Sequence, residues 1–203
     1  MNFQTVFFDF DGVLCNGRFY KTLLPTYSEV YDWIQTNIFR NKELVKKWMR
    51  NEINSSYINQ LIVEKTAISS NLLDKLYHDS IYKMELQKDV LDIVGSLKLL
   101  SKKVGIITDN MDVFSQITIP NHKLDSLFDI IINSSDYGLL KNDENGKLFD
   151  IALSSLGEKF ENSLMVDDSE PTINLFKKRG GHGFVYENLD ELRLFLRKEN
   201  LIL

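Results

Sequence analysis

Five short apolar runs, each ending in a turn or a cluster of polar residues, constrain the fold of this chain more than any other feature. The first is Thr5 to Phe10 (TVFFDF), β-branched and aromatic, stopped at Asp11-Gly12. The others are Lys103–Thr108 (KVGIIT), Asp129–Ile132 (DIII), Ser163–Val166 (SLMV) and Gly183–Tyr186 (GFVY). Runs of this length and composition read as strands, and near-continuous apolar character indicates strands covered on both faces, as in a parallel sheet. Helical patterns alternate with the later runs. Leu91, Val94 and Leu97 mark one, and Phe149, Ala152, Leu153 and Leu156, closed by Gly157, mark another. Pro171 to Arg179 is a third, with Pro near its start, basic residues in its last turn and Gly180-Gly181 beyond it. Leu189, Leu192, Phe195 and Leu196 mark a terminal helix. From about residue 89 onward the alternation specifies an α/β fold with a doubly wound, Rossmann-like parallel sheet.

The stretch between the first strand and residue 89 is different. Tyr27, Val30, Tyr31, Ile34 and Ile38 form a helical stripe, as do Leu44, Val45 and Trp48. Tyr57, Ile58, Leu61 and Ile62 make a third, with Ser55-Ser56 as capping candidates, and Leu72, Leu73, Leu76 and Tyr77 a fourth, after Ser69-Ser70-Asn71. The expected organisation is therefore an α/β core from residues 1–16 and 89–203, interrupted by an all-helical insert over 17–88. A length of 203 residues suits one core carrying one insertion.

Charge and composition exclude several classes of function. Lys and Arg number 24 against 29 Asp and Glu, a net charge of −5; without clustered basic residues the chain is a poor ligand for a phosphate backbone, so no nucleic-acid partner is expected. No apolar stretch approaches the length of a membrane span. The apolar N-terminus is short, is interrupted by Asp9 and Asp11 and lacks preceding basic residues, so it does not read as a signal peptide. With Cys15 the sole cysteine, no disulfide forms within the chain, and a cytoplasmic protein is expected. His78, His122 and His182 show no metal-ligand spacing.

In open parallel sheets, ligands bind beyond the carboxyl ends of the strands. The residues there are Asp9, Asp11 and Gly12 after the first strand, Thr108, Asp109 and Asn110 at the second, and Asp167, Asp168 and Ser169 after SLMV. Lys141 lies in the loop between the third and fourth strands. Carboxylates so gathered repel one another, a pair about 4 Å apart by on the order of 4 kcal/mol at an effective dielectric of 20. Compensating cations are required. Lys141 supplies one, and a hard divalent ion with oxygen ligands, Mg2+, is the natural second. An acidic cluster with a lysine and a hydroxyl points to metal-assisted phosphoryl transfer.

The same residues resemble the motifs of the haloacid dehalogenase-like superfamily. Asp9-Phe10-Asp11-Gly12-Val13-Leu14 resembles the first motif and Gly105-Ile106-Ile107-Thr108 the second. Lys141 resembles the third, and Leu164-Met165-Val166-Asp167-Asp168-Ser169 the fourth. The insert is similar to the helical cap of many members, with Trp48-Met49-Arg50-Asn51-Glu52-Ile53 like a stretch of phosphatase-type caps. The resemblance implies Asp9 as nucleophile and metal ligand. It implies Asp11 as general acid and base, its backbone carbonyl reaching the metal. Thr108 is expected to bind a phosphoryl oxygen, with Gly12 and Asp109 also at the substrate phosphate. Lys141 would neutralise nucleophile and phosphate, and Asp168, assisted by Asp167, would hold Mg2+. The implied activity is hydrolysis of a small phosphorylated metabolite through an aspartyl-phosphate, since dehalogenase members lack the second acid that Asp11 provides. A phosphomutase, or a binding or regulatory protein of the same fold, is also compatible.

The chain departs from the family pattern in two places. Asn142 stands where Pro usually follows the motif-three lysine, and the stretch Asn142–Leu148 is about two residues longer than usual. Taken singly, each signal has a plainer reading: Asp9 and Asp11 as a solvated strand end, Asp167-Asp168 as a capping turn before Pro171, and Lys46, Lys47 and Arg50 as a solvated helix face. Arg18, Lys21 and Arg50 are the insert residues singled out as specificity candidates.

Overall fold

The computed structural model describes residues 3–17 and 19–202. Arg18 therefore lies outside the described residues. The core is a five-stranded, wholly parallel sheet of β1 (Thr5–Phe8), β2 (Lys103–Thr108), β3 (Ile130–Asn133), β4 (Ser163–Asp167) and β5 (His182–Val185), in the order β3-β2-β1-β4-β5. Strand β1 is central, with Phe8 level with Ile106 on one side and Val166 on the other. The chain order crosses over at β1, so the tips of β1, β2 and β4 lie side by side at a topological switch point.

Between β1 and β2 run α1 (Ser28–Ile34, continued by a π-helical turn at Gln35–Phe39), α2 (Lys42–Met49), α3 (Ser55–Thr66), α4 (Ser70–Tyr82) and α5 (Lys88–Leu99). The short helices α6 (Ile119–His122) and α7 (Leu124–Leu127) precede β3, and α8 (Ser134–Tyr137) and α9 (Lys147–Leu156) follow it. Helix α10 (Glu170–Lys178), with Pro171 in its first turn, separates β4 from β5, and α11 (Leu189–Lys198) closes the chain. The expected alternation holds. No helix among the described residues is long and apolar enough to cross a membrane.

Side-chain alternation divides the core. Val6 and Phe8 of β1 face one apolar cluster, which takes in Val90, Ile93 and Leu97 of α5 and Leu192 and Leu196 of α11. Phe7 faces the other, formed with Phe149 and Leu153 of α9 and Ile173 and Phe176 of α10. The first cluster continues without a break into the insert through Phe10, Leu14, Tyr20, Ile34, Trp48 and Tyr77. The insert thus shares its apolar packing with the sheet.

Two local assignments differ from the sequence reading. Helix α3 is capped by Asn54, whose side chain accepts from the Tyr57 N–H, and not by Ser55-Ser56. Ser55 instead gives its hydroxyl proton to Asp112 of the β2–β3 connection. The strand expected over Thr5–Phe10 ends at Phe8, so Asp9 and Phe10 already leave the ladder. Helix α4 is capped by Ser69, one of its expected candidates.

Gly105 sits where β2 is squeezed between neighbours. A Cβ there would lie 2.7 Å from Ile130 and 2.8 Å from Phe7. Gly105→Ala is expected to destabilise the fold by about 2–3 kcal/mol through overpacking. Gly95, on the exposed side of α5 with nothing within 4 Å, provides the contrast. Gly95→Ala is expected to stabilise by about 0.5–1 kcal/mol through helix propensity alone. Urea unfolding midpoints check both, and an unchanged midpoint for Gly105→Ala would show that the strands have room to spread.

Candidate active site

The site begins with the break in β1. Asp9 leaves the strand while its N–H still donates to Val166 of β4. One carboxylate oxygen accepts from the Phe10 N–H at 2.8 Å, which fixes the side chain against its own turn. The other faces the Lys141 ammonium at 2.9 Å. That ammonium also donates to Asp167 at 2.7 Å, and Asp167's second oxygen accepts from the Ser169 N–H. Asp9, Lys141 and Asp167 are all buried. Lys141 therefore bridges the tips of β1 and β4.

The electrostatics follow from burial. Burial pushes the Asp9 carboxyl up to about 7; Lys141 pulls the other way, while Asp167 and Asp11 add to the rise. Burial alone would lower the Lys141 pKa, but Asp9, Asp167 and Asp109 together hold it above the ordinary lysine range. The consistent reading is a permanently protonated lysine among more carboxylates than it can neutralise. Asp168 and Asp109 are raised too, burial being the main cause for each.

Three of these carboxylates make a ligand set. Asp9, Asp167 and Asp168 each present an oxygen within 4.8 Å of the others. At that spacing each pair repels by roughly 3 kcal/mol at an effective dielectric of 20. The donors are all oxygen, which suits a hard divalent cation. Gly12 makes room for this arrangement. It has a φ of 81°, and a Cβ there would lie 2.4 Å from an Asp168 carboxylate oxygen. No other residue fits both the left-handed turn and the approach of Asp168.

Asp11 is exposed and accepts from the Asn110 side-chain amide at 3.0 Å. Asn110 is buried, its own N–H donating to Ser134. Sequence reasoning placed Asn110 at the sheet edge without giving it a part; the signal was its position directly after the second motif. Thr108 ends β2 fully buried, its hydroxyl without a partner among the described residues. Thr5 and Thr118 share that condition, so it does not by itself mark a site. The Asp109 carboxylate accepts from the Lys141 N–H at 2.7 Å.

Lys141 is held firmly although Pro does not follow it. Its N–H is tied to Asp109, and the preceding N–H, of Leu140, donates to Asp143 at 2.8 Å. Asp143 is in turn gripped by Arg50, at the end of α2, through two hydrogen bonds of 2.7 and 2.9 Å. The extra loop length is taken up by left-handed residues at Glu144, Asn145 and Gly146. Arg179 anchors their far side by donating to the Asn145 carbonyl. Arg50 is thus no part of a solvated face, in contrast to Lys46, which pairs with Glu43 in the open. The Arg50 hydrogen bonds also hold the Asp143 carboxyl below the usual carboxylate range.

A cavity of about 630 Å³ opens over Asp9. Asp11, Asp109, Lys141 and Asp168 line it together with Phe19, Phe39 and Met49 of the insert. Lys21 lines a neighbouring cleft with Lys83 and Gln87 instead.

The structure thus presents an acidic pocket at the switch point of a parallel sheet, bridged by one lysine and lined in part by the insert after the first strand. Residues 6–180 match the haloacid dehalogenase-like hydrolase family, and the chain belongs to that family. It is 28% identical over 175 residues to pyrophosphatase PpaX of Bacillus cereus strain AH820, covering 85% of this chain and 78% of that one. A haloacid dehalogenase-family enzyme of Bacteroides thetaiotaomicron superposes with a TM-score of 0.74 at 15% identity, over 96% of this chain and 99% of that one. The L-2-haloacid dehalogenase of Xanthobacter autotrophicus superposes with a TM-score of 0.66 at 16% identity, over 98% of this chain and 83% of the other. The fold alone therefore spans more than one chemistry.

Two measurements check this geometry. The Asp9 carboxyl titrates near its ordinary 3.8 in the unfolded chain and at about 7 in the folded one. Between those values the folded state binds more protons, so stability falls as pH rises. In the presence of chelator, Asp9→Asn is expected to be more stable than wild type by about 1–3 kcal/mol at about pH 8, the difference vanishing below about pH 4. Denaturant unfolding across that range tests the sign. For the Arg50–Asp143 pair, a double-mutant cycle of Arg50→Gln and Asp143→Asn is expected to give a coupling of about 1–2 kcal/mol. Amide exchange over residues 139–146 should quicken in either single variant, and no coupling would mean that the loop holds Lys141 unaided.

Proposed function

We propose that the protein is a Mg2+-dependent phosphomonoester hydrolase acting through a phosphorylated Asp9. The observation that carries this reading is the Lys141 ammonium set between Asp9 and Asp167, with Asp11 two residues beyond the nucleophile. Lys141 opposes the rise that burial gives the Asp9 carboxyl and offers charge to an incoming phosphate. An Asp9 oxygen attacks phosphorus as the ester P–O bond breaks. Asp11, exposed and steered by Asn110, gives its proton to the departing alkoxide. It then takes a proton from the water that cleaves the phospho-Asp9 intermediate, restoring both groups. The Thr108 hydroxyl, without a partner among the described residues, is assigned a phosphoryl oxygen, as are the backbone groups of Gly12 and Asp109. The Asp109 carboxylate positions Lys141 through its N–H.

The donor set fits Mg2+. Asp9 and Asp168 would hold it with the Asp11 carbonyl, while Asp167, already engaged by Lys141 and the Ser169 N–H, supports the set. The ion would supply charge neutralisation for the phosphoryl oxygens. The same Bacteroides enzyme has been solved in complex with magnesium and inorganic phosphate, and PpaX carries the name of a pyrophosphatase; both support phosphoryl transfer as the chemistry of this site. The helical insert over 17–88 takes the part of a cap, excluding water while the acid and nucleophile act.

Phosphate release from 4-nitrophenyl phosphate tests this reading. Activity is expected with Mg2+, to be lost on thorough chelation and restored by adding the ion back. Asp9→Asn is expected to abolish turnover, and Asp11→Asn to lower it by about 10²–10⁴-fold. Near-wild-type turnover in Asp9→Asn would require another nucleophile. With a sugar phosphate as substrate, formation of an isomeric phosphate ester in place of free phosphate would make the protein a mutase.

A further inference from the structure

A buried hydroxyl stands between the insert and Asp11. Ser134 opens α8, one residue beyond Asn133, which pairs with Thr108 where β3 and β2 end. It is fully buried. Three backbone groups lie within hydrogen-bond distance of its Oγ. The Asn110 N–H donates to it at 2.9 Å, the Met49 carbonyl is 2.8 Å away and the Asn110 carbonyl 3.1 Å away. A serine hydroxyl has one proton and two lone pairs. It can therefore accept from Asn110 while donating to one carbonyl, and the shorter contact is to Met49. Met49 is the last residue of α2, where carbonyls lack partners within their own helix. Taking the hydroxyl proton there leaves a lone pair for the Asn110 N–H. The Asn110 side chain carries the path onward. Its Oδ1 accepts from the Met111 N–H at 2.9 Å, which fixes the amide plane, and its Nδ2 donates to Asp11 at 3.0 Å. The Met111 carbonyl accepts in turn from buried Asn133. An amide held in this way points its N–H where its backbone puts it, and that backbone is tied to Ser134.

We propose that Ser134 is a positioning residue for the acid step. Through Asn110 it holds the Asp11 carboxyl where it protonates the departing group, and the Met49 carbonyl of the insert sets the direction of its own proton. The inference rests on the hydrolase reading above, with Asp11 as the acid. Asp11 is exposed, so its carboxyl is not confined by packing and its direction depends on hydrogen bonds. The groups behind it, Asn110 and Ser134, are buried, and a buried, fully occupied chain of hydrogen bonds is stiff. Removing the Ser134 hydroxyl would leave the Asn110 N–H without its acceptor and free the residue to shift. A small misplacement of an acid lowers the rate of proton transfer while the nucleophile and its lysine stay in place.

The choice of leaving group separates this role from a merely structural one. Phenoxide needs a proton as it departs, whereas 2,4-dinitrophenoxide leaves as a stable anion. Phosphorylation of Asp9 is followed in a single turnover with Mg2+ present, by release of the phenol. In Ser134→Ala the rate from phenyl phosphate is expected to fall by about tenfold, while that from 2,4-dinitrophenyl phosphate stays within about twofold of wild type. In an Asp11→Asn background, Ser134→Ala is expected to have no further effect on the phenyl phosphate rate, since the group it positions is gone. Equal losses from the two esters, an unchanged phenyl phosphate rate, or the same loss with and without Asp11 would each overturn the inference and leave the hydrolase reading standing. No phenol release from either ester by the wild-type protein would overturn both. Should circular dichroism show that Ser134→Ala does not fold, Ser134→Cys, close in size and only a weak hydrogen-bonding group, is read by the same criteria.

Discussion

The position of one ammonium group organises this molecule. Lys141 comes from a loop beyond β3, yet its Nζ lies between carboxylates at the tips of β1 and β4. That is possible because β1 is the central strand, with β2 and β4 as immediate neighbours. The sheet order brings Asp9, Thr108 and Asp167 to adjacent positions along one edge, and the lysine crosses that edge. Without it, two buried carboxylates would face each other unpaired, an arrangement that proteins tolerate only by protonating one of them. With it, the cluster still carries an excess of negative charge, which leaves a place for a divalent ion. The bridge thus joins the two strand tips, and under the proposed function it also serves the chemistry; the hydrogen bonds of the loop to Asp109 and Asp143 keep it in register.

Much of this was legible in the sequence, for a physical reason. Strands of a parallel sheet buried on both faces are apolar throughout, so each stood out as a short run, and the polar residue ending each run marked the edge where ligands gather. Strand limits were less legible, because a ladder ends where its partner ends. Asp129 looked like the start of a strand, but its carboxylate accepts the Val104 N–H and β3 begins one residue later. What the sequence could not show were partnerships across long separations. Ser55 looked like a cap, but Asp112, 57 residues away, recruits its hydroxyl. Arg50 looked like a solvated residue, but its partner is 93 residues further on. Asn110 carries no motif of its own, and its role depends on Asp11 arriving beside it from another strand.

The substitution of Asn142 for the family's usual Pro is another such case. A Pro stiffens a loop from within by fixing its own φ. Here the loop is stiffened from outside, by Asp109 on one side, by Arg50 through Asp143 on another, and by Arg179 beyond the left-handed turn. Local rigidity has been replaced by tertiary hydrogen bonds.

Those outside supports make the insert difficult to transplant. It contributes the guanidinium of Arg50 to the lysine loop, and the indole of Trp48 and hydroxyl of Ser55 to Asp112. A chimaera that replaced residues 17–88 with helices from a relative would strand both aspartates of the core. The new helices would have to carry their own matching donors, so recombination breakpoints in this protein must respect side-chain pairs as well as loop boundaries.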